Sequence, residues 1–272
     1  MMLNLPVSQP SGAALERIEK RLQATKAAEN ETQASSGSVV NMLGTPQIAR
    51  SVETYRGAIF SVDDRTVQLP TTADISIDIP RQIVHHSPAV ILLVHDVSRD
   101  AYLVEREYRV GSNSFSFGFP AGLRDNQESA LQSAFRELAE ETGIVVEGIA
   151  HLASDPDFAA KKLQHAVEAS ENVDVDVLGT FYPSSGMSDE QVTLLTLHLK
   201  KFHVEGRHFD ADEHVQSTWV SWKELSEVIP FQGSHTNFLI LNEKLHRSRR
   251  IQTSHAQAMG TILSTSSIPE SF

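Results

Sequence analysis

The stretch GLRDNQESALQSAFRELAEETGI at 122–144 constrains the fold of this chain more than any other. Wound as a helix over 128–141, at about 100° per residue, it places Leu131, Ala134, Phe135 and Leu138 on one face. Glu137, Glu140 and Glu141 crowd the adjoining face. The helix must therefore dock along one side and present three carboxylates beside the docked stripe. Like charges three and four residues apart repel, and these fall in the last turn, where the helix dipole is already negative. The acidic face is either solvated or built to hold a cation. Hard cations such as magnesium and manganese take oxygen ligands of this kind. Asn126 is a candidate N-cap with Glu128 in the first turn. Gly143 supplies the left-handed position that ends a helix. Arg136 either pairs with a carboxylate or orients one.

The rest of the chain is organised around short strands. YRGAIFSVDDRTVQL (55–69) suggests two strands about a turn at Asp63-Asp64. DISIDIP (74–80) alternates as a half-buried strand does. AVILLVHDVSRDAYLVEREY (89–108) reads as a hairpin with a nearly all-apolar central strand, and further strands are expected at 115–119, 174–180 and 191–199. TWVSWKELSEVI (218–229) predicts a strand and a short helix. His85 and His86 are adjacent, so on a strand they point oppositely and make a poor metal pair; one is expected packed and the other exposed. Strands before, around and after one central helix describe a mixed α/β or α+β domain. There is no GxGxxG and no βαβα alternation of a doubly wound sheet.

The boundaries follow changes of texture. Residues 1–52 read as an N-terminal extension, with an amphipathic helix over 13–29 and a small-residue linker after it. Residues 53–88 form a β region, 89–247 the main domain, and 248–272 a flexible tail. An insertion-like segment at 145–173 contains FAAKKLQHAVEAS, which predicts an additional helix at 158–170.

Composition narrows the chemistry. With 23 basic and 35 acidic residues the net charge is -12, which argues against nonspecific binding to nucleic acid or an anionic membrane. A nucleotide substrate remains compatible, because a local arginine and a divalent metal can offset the average. The chain has no cysteine, so thiolate zinc sites, disulfides and cysteine nucleophiles are excluded. No secretory signal opens the sequence, and its longest apolar run is too short to span a bilayer. A cytoplasmic location is expected.

Gly122, Glu128 and the run Arg136-Glu137-Leu138-Ala139-Glu140-Glu141-Thr142-Gly143-Ile144 resemble the complete signature of the Nudix hydrolases. That resemblance implies a mixed β-sheet sandwiched between helices and a small N-terminal β region. It also implies hydrolysis of a nucleoside diphosphate linked to another moiety, with Mg2+ or Mn2+ as cofactor. Glu137 and Glu141 would be the principal metal ligands and Glu140 a further or shared one. Glu128 and Arg136 would brace the loop and helix, with Gly122 and Gly143 as structural glycines.

The flanks are similar to the ADP-ribose pyrophosphatase branch. LVEREYRV (103–110) and FPAG (119–122) precede the signature, and FYPSSGMSDEQVTLL (181–195) follows it. By this resemblance Ala121 lends its backbone carbonyl to the metal, Arg109 approaches phosphate or ribose, and Arg81 contributes to the substrate pocket. Glu190 orients or deprotonates the attacking water. The N-terminal strands resemble a region through which subunits join, which implies a homodimer. Gly118, Gln127 and Ser185 depart from the branch's usual residues, and none of these departures removes a proposed ligand. The expected reaction is cleavage of ADP-ribose to AMP and ribose 5-phosphate. The alternatives are another nucleoside diphosphate sugar or a dinucleoside polyphosphate, and, in a different class, a nucleotide sensor without activity. A sensor would be expected to lose one of the three glutamates, and all three are present.

Overall fold

The computed structural model describes residues 40–73, 75–125, 127–153, 160–206 and 214–265, with a few positions between 13 and 21. Those few (13, 16–18, 20 and 21) are helical; the remainder of the expected helix at 13–29, and the candidate cap Asn126, lie outside the described residues. The chain divides into two units, Met1–His86 with Ser184–Glu190, and Ser87–Pro183 with Gln191–Phe272.

The first unit is an antiparallel meander of β1 (Gln47–Arg56), β2 (Phe60–Pro70) and β3 (Ser76–His86). The turn between β1 and β2 lies at Gly57, whose amide donates to the Phe60 carbonyl at 2.9 Å, and not at Asp63-Asp64 as expected. Both aspartates run through the middle of β2 because neighbouring strands satisfy their carboxylates. Asp63 accepts from the Ser51 hydroxyl at 2.6 Å and Asp64 from the Gln82 amide at 3.0 Å. The segment 184–190 joins this unit along β3. The Val84 amide donates to the Met187 carbonyl at 2.7 Å, and the Asp189 amide to the Val84 carbonyl at 3.2 Å. His85 fastens the contact, its Nδ1 2.5 Å from Asp189 and its Nε2 3.3 Å from Asp63. The Asp189 hydrogen bond raises the His85 pKa, outweighing burial, and Asp63 adds to the effect. His86 lies 3.6 Å from the Glu190 carboxylate. The expectation of one packed and one exposed histidine fails: both are partly buried, and each faces a carboxylate.

The second unit is built on a mixed sheet of order β12-β5-β4-β10-β9, with β6 on β5 and β7 on β4. The strands are β4 (Ala89–Asp96), β5 (Ala101–Arg109), β6 (Ser114–Gly118), β7 (Ala121–Leu123), β9 (Val173–Phe181), β10 (Val192–Leu199) and β12 (Gln216–Ser221). A separate pair joins β8 (Ile144–Val146) to β11 (Phe202–Val204). β4 runs parallel to β10 and antiparallel to β5. The helices are α1 (Ala130–Thr142), α2 (Ala150–Ala153), α3 (Ala160–Glu168) and α4 (Ser234–Thr265), with a π-helical turn at Glu224–Val228.

The all-apolar strand β4 explains the layering, because side chains alternate across a strand. Val90, Leu92 and Val94 pack with Ala134, Phe135 and Leu138 of α1 on one face. Ala89 and Leu93 pack with Leu225 and with Leu239 and Ile240 of α4 on the other. The sheet is thus covered by helices on both faces, as expected. α3 realises the helix predicted inside the 145–173 segment and buries Leu163 and Val167. At the C-terminal end α4 continues to Thr265, into the stretch 248–272 expected as a tail. Among the described residues no helix is long and apolar enough to cross a membrane.

Candidate active site

The signature stretch folds around the start of α1. Its N-cap is Ser129, whose hydroxyl accepts from the Gln132 amide at 3.3 Å while the Gln132 side chain accepts from the Ser129 amide at 2.9 Å. This reciprocal capping box starts the helix at Ala130, two residues after Glu128, which therefore stands outside the first turn where it was expected. Gly143 ends the helix at φ 73, and its amide donates to the Ala139 carbonyl at 2.9 Å. A Cβ there would stand 2.4 Å from the Glu205 carbonyl oxygen, so both conformation and space call for glycine.

Arg136 is the hub of this arrangement. It grips Glu128 with two hydrogen bonds of 3.0 Å, donates to Glu140 at 2.8 Å and to the Leu123 carbonyl at 2.9 Å, and stands 2.8 Å from Glu137. Burial pushes the Glu128 carboxyl up, but the hydrogen bonds from Arg136 and from the Asp125 amide prevail and hold it below its usual range. The bidentate geometry suits a planar guanidinium. It ties the β7 end, the loop before α1 and the helix into one rigid piece.

Beyond Arg136 lies a group of buried carboxylates. Glu137 and Glu141 are 8% and 7% exposed, and Glu105 of β5 is 2% exposed. Glu141 accepts from the Ala121 amide at 3.0 Å. Burial, then the charges of Glu105 and Glu137, push the Glu141 carboxyl up to about 10. Such a cluster of mutually repelling oxygens fits a hard divalent cation, which would remove the repulsion. Glu137 and Glu141 would hold it, with the Ala121 carbonyl beside them. Glu140 is the most exposed of the three helix glutamates and is engaged by Arg136.

Gly122 makes room for this group. A Cβ at that position would come within 1.9 Å of the Glu137 carboxyl carbon. Gly122→Ala should therefore leave the fold intact, because the end of a flexible side chain can move, yet displace the carboxylate and lower turnover about 100-fold. A melting temperature near wild type with that loss is the expected pair of readings; unchanged turnover would show that the position of Glu137 is immaterial.

Sequence reasoning did not single out Glu105. Its signal was the acidic alternation Glu105-Arg106-Glu107, which puts two carboxylates on one face of a strand; Glu107 also contributes to the Glu141 shift. Arg109 is ion-paired with Glu107, two residues away on β5. Glu190 and Arg81 lie in the first unit. Glu190 stands near His86 as described, and the Arg81 guanidinium donates to the Pro80 carbonyl at 2.7 Å.

The NUDIX domain family model matches residues 85–240, more than half of the chain. The ADP compounds hydrolase NudE of Escherichia coli (strain K12) is 32% identical over 99 residues, covering 36% of this chain and 50% of that protein. The aligned part thus spans half the length of that curated relative. A crystal structure of an ADP compounds hydrolase superposes with a TM-score of 0.52 at 18% identity, over 79% of this chain and 98% of the other. That likeness is one of fold.

Proposed function

This chain belongs to the Nudix family, and from that premise we propose that it hydrolyses the diphosphate bond of ADP-ribose, giving AMP and ribose 5-phosphate. The observation that carries the reading is the buried group of Glu105, Glu137 and Glu141 against the Ala121 backbone, held rigid by Arg136. A bound Mg2+, or Mn2+, would neutralise the diphosphate and lower the pKa of the attacking water. The chain's own part is to fix the carboxylates that receive the cation and to keep them from solvent. Glu190 orients the water or takes its proton as oxygen adds to one phosphorus; the bridging P–O bond breaks, and the other phosphate departs as a monoester. Arg109, released from Glu107, offers its fan of donors to the substrate's phosphate or ribose. Arg81 is assigned a lesser part in substrate binding.

The choice of ADP-ribose is supported by the flanking residues 107–109, 119–122 and 190, and agrees with the name of the curated relative, an ADP compounds hydrolase. The test is a panel of ADP-ribose, ADP-glucose, UDP-glucose, GDP-mannose, NADH and diadenosine polyphosphates with magnesium. Specificity is judged by kcat/KM. ADP-ribose should rank first; preference for a hexose or a dinucleoside would reject the ribose assignment and keep the diphosphate chemistry.

The active assembly is proposed to be a homodimer joined through the first unit. Its support is β1, exposed along its whole length, with Ile48, Val52 and Tyr55 at 57%, 39% and 52%. A long edge strand carrying apolar side chains invites pairing with another chain. Light scattering should give twice the 30.0 kDa chain mass, and Val52→Asp should shift it toward the monomer. A fully active wild-type monomer would overturn the assignment.

A further inference from the structure

The face of the sheet opposite α1 carries a second group of ligand-type side chains. Asp176 on β9, His198 on β10 and His246 on α4 each offer one atom, and the three atoms lie within 4.8 Å of one another. The His198 Nε2 is 3.7 Å from the Asp176 carboxylate, and the His246 Nδ1 is 4.0 Å from the same oxygen. The His198 side chain is 3% exposed, and its buried Nε2 has no hydrogen-bond partner.

The other nitrogen of His198 is already engaged. Its Nδ1 lies 3.0 Å from the His95 Nδ1, and the His95 Nε2 lies 3.0 Å from Asp100. Asp100 is in turn gripped by Arg247, which donates to both its oxygens at 2.6 and 2.8 Å. The His198 Nε2 is left facing a carboxylate oxygen at a distance too long for a hydrogen bond. A buried imidazole nitrogen aimed at a carboxylate, with a second imidazole beside both, is a donor set for a cation.

We propose that Asp176, His198 and His246 bind one divalent ion of the zinc class. Two imidazole nitrogens and a carboxylate oxygen are a donor set suited to that ion. Ligands at about 2.0–2.1 Å in tetrahedral array stand roughly 3.4 Å apart, so the two spacings to Asp176, 3.7 and 4.0 Å, need only a small contraction, and all three atoms already lie within 4.8 Å. Asp176 and His246 are 31% and 36% exposed, which leaves a route for the ion and a position for water. Glu243, one turn before His246 on α4, stands 3.9 Å from the His246 Nδ1 and is fixed by the Tyr102 hydroxyl at 2.5 Å. The ion would fasten α4 to β9 and β10, coupling metal binding to the stability of the helix that covers this face.

The test uses the full chain stripped with a chelator. Glu137→Gln/Glu141→Gln is the background, so that metal bound by the α1 carboxylates does not contribute. Zinc is titrated against a chromophoric chelator, and bound metal is counted by mass spectrometry. One tightly held equivalent is expected in that background, with a d–d absorption band when cobalt(II) replaces zinc. His246→Ala and Asp176→Asn should each weaken binding by at least about 100-fold, since even outer-sphere partners of a ligand cost 10- to 100-fold. Both side chains are partly exposed, so these variants should retain the wild-type circular dichroism spectrum. If the background protein holds no zinc, or if His246→Ala binds it unchanged, the site is refuted and the cluster is an imidazolium–carboxylate ion pair, near which Arg250 adds positive charge.

Discussion

Glu141→Gln should cut magnesium-dependent turnover by about 1,000-fold and at the same time make the metal-free protein more stable. Both outcomes come from one feature, the burial of a carboxyl against Glu105 and Glu137. Its folded pKa of about 10 lies above the ordinary 4.5, so between those values the folded chain binds more protons than the unfolded one. Stability of the metal-free protein therefore falls as pH rises through that window. Glutamine keeps the size, removes the titrating group and should flatten the slope. At neutral pH, about 2.5 units above the ordinary value, the gain is on the order of 3 kcal/mol, or about 10 °C in melting temperature. Thermal melts from pH 5 to 9 in chelator, set beside turnover in magnesium, check both parts. A variant that lost turnover with no gain in metal-free stability would contradict the repulsion ascribed to this cluster. Glu137→Gln should match it in turnover, but its benefit to stability should be smaller because Arg136 already balances that charge.

Arg136→Ala should cost about 3–5 kcal/mol of stability, the loss expected when one partner of a buried ion pair is removed. Glu128 and Glu137 have side chains 12% and 10% exposed and would keep their charges with little water to replace the guanidinium. The Leu123 carbonyl would also lose its donor. Arg136→Lys should recover only part, because an ammonium cannot grip Glu128 through two parallel bonds. Urea denaturation in chelator measures the change apart from metal binding. A loss below about 1 kcal/mol would place Arg136 among ordinary surface pairs.

The parts of this fold that were legible in sequence are those set by local periodicity. The apolar stripe of α1, the buried strand β4 and the glycine at 143 each follow from side-chain spacing or a single backbone requirement. The misreadings arose where distant groups decide. Asp63-Asp64 resembles a turn, yet Ser51 and Gln82 on flanking strands absorb the carboxylates and the turn falls at Gly57. The cap of α1 carried its own signal, Ser129 followed by Gln132, but the acidic Glu128 competed with it, and only the Arg136 contact shows why Glu128 stays outside the helix. Glu105 joins the buried carboxylates because β5 lies beside β4 and β6, a neighbourhood that periodicity along one strand does not contain. α4 was hidden by its basic middle; the docked part around Leu239 and Ile240 is short, and the run HRSRR at 246–250 breaks the apolar pattern before the helix continues.

Phosphorus NMR of ADP-ribose gives the most direct measurement of the proposed reaction. With the wild-type chain and magnesium, the diphosphate resonances should give way to two phosphomonoester signals, those of AMP and ribose 5-phosphate, in equal amounts. Chelator, or Glu137→Gln, should leave the diphosphate intact on the same time scale. Persistence of the diphosphate signal with the magnesium-loaded wild-type chain, or equal cleavage by Glu137→Gln, would contradict the assignment of hydrolysis to the carboxylates of α1.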